Sequence, residues 1–180
     1  MICILGNGGH AKVCAACYPD DEINFREFDL TRGIVAEDAY YVIGVGDIAL
    51  RRELFVRFCN IGRGMLGARH YSAVMAEVEY KKPPKRFAGE VFVLGNPCLQ
   101  IMAGAIIQPG CTIGNNVLIN TRVSVDHDCI IGDHVHIAPG AILCGGVTVG
   151  EGAFIGAGAI IPEGRNVPAG AFVKAGSVFA

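Results

Sequence analysis

Three of the five histidines in this 180-residue chain, His127, His134 and His136, fall within ten positions of one another. The first of them stands between two carboxylates, as Asp126-His127-Asp128. An imidazole titrates near neutral pH, and a carboxylate bonded to one ring nitrogen fixes the tautomer and raises the basicity of the other. That combination suits removal of a proton from a nucleophile, so His127 is the expected general base. His134-x-His136 invites a metal reading, but a three-histidine zinc site needs a wider spacing than this pair supplies, so no metal is expected. His134 is expected at a corner, with its ring in water.

These residues sit inside a repeat of six that runs from Ile101 to Val178. Every sixth position is aliphatic, from Ile101, Ile107 and Ile113 through Ile119, Val125, Ile131, Ile137 and Leu143 to Val149, Ile155, Ile161, Val167 and Val173. Four places after each comes a second inward candidate, usually small, such as Ala105, Cys111, Cys129 or Ala141. Three places after each the residue is mostly Gly, as at Gly104, Gly110 and Gly140. A helix needs apolar spacing near 3.6 and does not tolerate glycine at this density. Short strands that turn at fixed intervals need both features. At Arg122, Asp128 and His134 the Gly position is taken by a charged or titratable side chain instead. Eighteen residues make one triangular coil, which puts His127 in line with Pro109 on one side and Gly145 on the other. A ring beside a Gly leaves room for a substrate.

The first part of the chain is built differently. Ile2 to Leu5 leads into Gly6-Asn7-Gly8-Gly9-His10 and a helix over Ala11 to Cys17. Ile23 to Phe28 is a second expected strand, ending at Asp29. Tyr40 to Val45 is a third, followed by Gly46-Asp47 and a helix carrying Arg51, Arg52, Leu54, Phe55 and Phe58. Strands alternating with helices indicate a small parallel sheet. A Gly-rich turn between strand and helix can present free N–H groups to a phosphate, though the same residues also make an ordinary tight turn. Asp29, Asp47 and Arg51 favour a nucleotide, because such sheets collect ligands at the carboxyl ends of their strands. The expected division is a nucleotide-binding domain over 1–70 and the stacked coils of a β-helix over 71–180. Lys81-Lys82-Pro83-Pro84-Lys85-Arg86 reads as an exposed, stiffened loop.

Hydrophobic residues make up 52% of the chain and charged ones 18%, a composition for a dry interior with some apolar surface left for other subunits. A net charge of −2 excludes a global attraction to nucleic acid or to an anionic membrane. No apolar run approaches the roughly 18 residues of a membrane span. The chain enters a strand at once, so no signal peptide is expected. Cys111, Cys129 and Cys144 fall within the hexads, while Cys14 and Cys17 follow the Gly-rich turn. Buried free thiols are expected for these, and with them a reducing, cytoplasmic compartment.

Gly8-Gly9-His10-Ala11-Lys12-Val13, Val45-Gly46-Asp47 with Arg51, and Asn120-Thr121 followed by Asp126-His127-Asp128-Cys129-Ile130-Ile131-Gly132 together resemble one family. It is that of the sialic-acid and bacillosamine-type sugar O/N-acyltransferases, and the resemblance covers nearly the whole chain. It implies a small Rossmann-like nucleotide-sugar domain followed by a left-handed β-helix, assembled as a homotrimer with active sites at subunit interfaces. It implies acetyl-CoA as co-substrate, His127 as base, Asp126 as the residue that orients it, and Asn120 nearby. His136 is implied at the acetyl end of acetyl-CoA, and Gly145, Ala157 and Ala175 along the channel for CoA. Gly8, Gly9, His10, Asp29, Gly46, Asp47 and Arg51 are the implied ligands of the nucleotide sugar. Two positions depart from the family pattern. Asp29 stands alone where an acidic pair is usual, and Ile48 replaces the Asn that usually follows Gly46-Asp47.

The expected reaction is N-acetylation of a UDP-linked 4-amino sugar for a surface glycan or glycoprotein precursor. The amine attacks directly, and the Gly145 N–H and His136 meet the oxyanion. O-acetylation of a sugar hydroxyl, as on sialic acid, would use the same base. A silent scaffold that only binds a nucleotide sugar is the alternative from another class, and acetyl-CoA turnover decides between them.

Overall fold

The hexads fold into two-residue strands separated by corners, stacked one coil upon another. The structure is a computed structural model that describes residues 2–26, 40–60, 65, 67–69, 72–75, 79–80 and 98–180. Asp29 and the cationic segment 81–86 lie outside the described residues. Strands eighteen residues apart pair in parallel, as Leu118 with His136 and Ser124 with Ile142. The result is three parallel sheets, one of six strands and two of five. Together with the repeat, they fit a left-handed parallel β-helix. The first face holds Ala68–Arg69, Gln100–Ile101, Leu118–Ile119, His136–Ile137, Phe154–Ile155 and Phe172–Val173. The second holds Val74–Met75, Ile106–Ile107, Ser124–Val125, Ile142–Leu143 and Ile160–Ile161. The third holds Glu79–Tyr80, Thr112–Ile113, Ile130–Ile131, Thr148–Val149 and Asn166–Val167.

All thirteen sixth-position aliphatics are buried, and so are the small partners from Ala105 to Ala159. Each fully buried Ile or Val contributes about 1.5–3 kcal/mol, so the lumen supplies the rigidity that fixes the corners. At those corners the Gly position takes the left-handed conformation, with φ +68 at both Gly104 and Gly146. Asn116, Arg122, Asp128 and His134 adopt it without being Gly, at φ 53, 56, 58 and 61. Three successive corners and the next one therefore carry side chains that the backbone tolerates poorly, except for Asn and Asp. Strain of this kind collects at functional sites.

The N-terminal unit has β1 (Ile2–Leu5), α1 (Gly9–Ala15), β2 (Ile23–Arg26), β3 (Tyr40–Ile43) and α2 (Ile48–Asn60). Its strands are parallel in the order β2-β1-β3. Alternate residues of β1 point to opposite faces. Cys3 and Leu5 pack with Leu54, Phe55 and Phe58 of α2. Ile2 and Ile4 pack with Ala11 and Cys14 of α1 and with Ala68, Met102 and Leu118 of the β-helix. The unit thus docks on the first face, and a salt bridge from Arg52 of α2 to Glu151 at a corner adds to the join. Among the described residues no helix is long and apolar enough to cross a membrane.

Candidate functional site

The corner between the second and third faces holds His127. Its ring Nδ1 lies 2.8 Å from Asp128 Oδ2, and both side chains are more than half exposed. The hydrogen bond that Asp128 accepts from the ring, followed by the charge of Asp126 and a smaller contribution from Glu163, raises the imidazole pKa above its ordinary value. With Nδ1 donating to the carboxylate, Nε2 is left as the basic lone pair. The ring lies over Gly145, one coil away. A Cβ at Gly145 would stand 2.7 Å from Cε1 and 2.8 Å from Nε2, so only Gly lets the imidazole lie there.

The expectation that Asp126 orients this ring is corrected by the geometry. Asp126 Oδ1 accepts the backbone N–H of His127 at 2.9 Å, folding back on its own turn. The left-handed φ of Asp128 carries its carboxylate under the ring instead. Asp128→Asn is therefore expected to remove part of the roughly 10²–10⁴-fold that a general base contributes, and Asp126→Asn to cost less. The sign on the pH axis follows from the raised pKa. A ring serving as base has to be unprotonated, so with His127 in that role the rate is expected to fall as pH drops through the raised pKa, and Asp128→Asn to move this acid limb to lower pH. A kcat/KM profile of both variants checks it; a limb that moved only in Asp126→Asn would restore the original assignment.

A second group of candidates gathers where the N-terminal unit meets the first face. His136, 8% exposed, packs edge-on to Phe154. Asn120 Oδ1 accepts the N–H of Thr121 at 2.8 Å, which turns its Nδ2 toward His136 Nε2 at 3.4 Å. Nε2 is thus an acceptor, and the donor is Nδ1, buried beside the Gly46 backbone but short of hydrogen-bond geometry. Burial, then the charges of Arg51 and His10, push this imidazole down to about 4, so it stays neutral at working pH. In this arrangement His136 presents a lone pair at Nε2 and carries no charge.

Arg51 is corrected as well. It is 2% exposed, and its guanidinium donates to Ile43 O at 3.1 Å, Cys98 O at 2.7 Å and Gln100 Oε1 at 2.8 Å. Its charge bolts the N-terminal sheet to the β-helix and does not reach a surface ligand. Gln100, absent from the sequence reading, is fully buried on the first face and also bonds His10 Nε2 at 2.8 Å. Only its break with the aliphatic neighbours around it could have drawn attention. His134, expected in water, packs edge-on to Phe55 with Asn116 Nδ2 2.9 Å from its Nδ1, because α2 covers that corner.

Gly8 and Gly9 sit at the start of α1 with no side-chain cap and no acidic residue in the first turn. An added Cβ at either would meet nothing within 4 Å, and neither has the φ that demands Gly. Their bareness is thus unused by the fold itself. Gly44, by contrast, is held by close approach to Ala11 and Ile4. Asp47 Oδ1 accepts the Leu50 N–H at 2.8 Å and caps α2, filling the place an anion would take there.

The candidates divide into two halves. Asn120, Ala157 and Ala175 mark the corner between the first and second faces, with His136 beside it. His127, Asp128 and Gly145 mark the corner between the second and third. One side of the triangle separates them, about 15–20 Å for six residues at roughly 3.3 Å each. Among the described residues no backbone acceptor meets the N–H of Gly145, Ala157 or Ala175. No group of three or more His, Cys, Asp or Glu is placed among them to hold a metal.

The bacterial transferase hexapeptide family (six repeats) matches residues 110–145 and 128–163, within the β-helix. No curated protein matches it by sequence. Among solved structures it is similar to the acetyltransferase domain of PglB from Neisseria gonorrhoeae, at 26% identity and TM-score 0.83, covering 99% of this chain and 90% of that one. The same domain in complex with acetyl coenzyme A is similar at 28% identity and TM-score 0.81, over 99% and 90%. A histidine variant of perosamine N-acetyltransferase from Caulobacter crescentus, in complex with CoA and GDP-perosamine, is similar at 30% identity and TM-score 0.83, over 99% and 88%. The chain belongs to the hexapeptide-repeat sugar acyltransferases and is an enzyme of that kind.

Proposed function

We propose that the protein transfers acetyl from acetyl-CoA to the amino group of a nucleotide-linked amino sugar, with His127 as base. The observation that carries this is the His127–Asp128 pair, exposed at a corner whose stacking neighbour, Gly145, has no side chain. The amine attacks the thioester carbonyl, the N–C bond forms and the C–S bond breaks. His127 Nε2 takes the amine proton and hands one to the departing thiolate. The unused N–H groups of Gly145, Ala157 and Ala175 suit the co-substrate's carbonyl and amide oxygens, and the Gly145 N–H is the oxyanion donor in place of His136.

The active enzyme is a trimer in which the His127 corner of one subunit faces the Asn120–His136 corner of the next. The support is the exposed aliphatic column on the second face, Val74, Ile106, Ile142, Ile160 and Val178, broken only by Ser124. A cyclic, head-to-tail interface that covers this face sets one of its flanking corners against the opposite corner of a neighbour. The N-terminal unit, bounded near residue 70, holds the nucleotide sugar, with its diphosphate at Gly8 and Gly9. Similarity to a protein crystallised with GDP-perosamine leaves a guanosine diphosphate sugar as open as the uridine one. Thiol release from acetyl-CoA against UDP-, GDP- and dTDP-linked amino sugars and CMP-sialic acid tests the reading. Turnover of CMP-sialic acid alone would make it an O-acetyltransferase, and no thiol release with any of them would overturn it.

Gly8→Leu is expected to raise the sugar-nucleotide KM strongly while the acetyl-CoA KM and Tm barely move, since a side chain there obstructs only a ligand. Both KM values rising together with a lower Tm would make Gly8 a structural turn.

A further inference from the structure

We infer that Gln100 locks His10 as the Nε2–H tautomer, so that His10 offers its Nδ1 lone pair to a hydrogen-bond donor on the sugar and not to the diphosphate. This rests on the proposed nucleotide-sugar site and names which end of that substrate lies at His10.

The lock follows from what each neighbour is able to do. Gln100 Nε2 lies 2.7 Å from Ile43 O, a carbonyl that can only accept. Gln100 Oε1 lies 2.8 Å from Arg51 NH1, a guanidinium that can only donate. The amide therefore fits one way round, with its oxygen toward Arg51 and, at 2.8 Å, toward His10 Nε2. An oxygen in that place obliges Nε2 to carry the proton, which Cys14 Sγ shares at 3.6 Å. Nδ1 is then an acceptor. It makes no hydrogen bond with the described residues and is not among the buried unpartnered atoms, so it is open to a ligand.

The ring is also uncharged. Burial lowers its pKa, Gln100 opposes this, and Arg51 adds to the lowering. Among the described residues the groups that face it are Arg51 from α2, Gln100 and His136 from the first face, and Cys14 from its own helix. No carboxylate among them favours a cation. A neutral acceptor has nothing to offer a fully ionised diphosphate, which has no N–H or O–H. It suits the hydroxyl or amine of a sugar ring. His10 also stands beside Gly46, whose backbone neighbours His136, so the sugar end falls at the join between the N-terminal unit and the first face.

The test reads the tautomer and the specificity separately. In the ¹⁵N-histidine spectrum of the intact protein at pH 7, His10 is expected to show a protonated Nε2 and a bare Nδ1. A protonated Nδ1 overturns the inference whether or not the enzyme acetylates amino sugars. Gln100→Glu keeps an acceptor for Arg51 and His10, gives up the donor to Ile43 O, and supplies a carboxylate that favours a second proton on the ring, turning Nδ1 into a donor. Its sugar-nucleotide KM should rise about tenfold at pH 7, the worth of one hydrogen bond, and fall back as pH is raised, with the acetyl-CoA KM unchanged. His10→Ala should give a similar rise, and His10→Asn, which keeps an acceptor near the Nδ1 position, should reverse most of it. A KM indifferent to Ala, or Asn no better than Ala, overturns the role in recognition even where the spectrum bears out the tautomer.

Discussion

His127→Ala is expected to lower kcat by about 10²–10⁴-fold and to leave Tm where it was. The large effect follows from chemistry. A protonated amine has no lone pair for a thioester, and among the described residues His127 is the one imidazole that is exposed, paired to a carboxylate and raised in pKa. His10, His134 and His136 are lowered in pKa by burial. The small effect on stability follows from position. The ring packs against Gly145 and otherwise faces water, while the lumen beneath it is closed by Val125 and Cys129. Stopped-flow thiol release and a melting curve on the same sample check both halves. A variant keeping more than half the wild-type rate would remove His127 from the mechanism, and one that melted far lower would leave the loss unassigned to chemistry until His127→Asn, closer in size, was measured.

The β-helix could be read from the sequence because its constraint is local and periodic. A position that faces the lumen of a triangular coil has one neighbour type for its whole length, so each sixth residue reports the same environment. The first coil escaped that reading. Its strands at Arg69, Met75 and Tyr80 pair with Ile101, Ile107 and Ile113, but they place other residue types in the aliphatic register and shorten one step to five. The base was readable as a residue type at a corner. Which carboxylate serves it was not, since Asp126 and Asp128 are equivalent in composition and differ only in the backbone hand at Asp128. Arg51 shows the other limit. A cation after a strand suggests a phosphate, yet the partners that occupy it, Cys98 and Gln100, lie far along the chain on another structural unit. Gln100 was unreadable for the same reason, because its burial is created by the docked N-terminal sheet.

Two inactive chains are expected to restore one another when coexpressed, and this separates a shared site from one contained in a single chain. His127→Ala spoils the second-to-third corner and leaves the N-terminal unit intact. Gly8→Leu, assayed at sugar nucleotide well below its raised KM, spoils the N-terminal unit and leaves the corner intact. In a cyclic trimer each site takes one half from each of two neighbours, so random mixing makes both halves native in about a quarter of the sites. Activity near a quarter of wild type is the expected result, from two preparations that are each nearly silent. A site built within one chain gives no gain on mixing, since every chain carries one defect. The exposed second-face column supplies the control: Ile142→Glu places a charge in the middle of that apolar strip and should yield monomers by light scattering, with turnover lost although His127, Asp128 and Gly145 are untouched. Full activity from a monomer would show that the corner between the first and second faces reaches His127 by another route, and that the side of the triangle lying between them is no barrier to the chemistry.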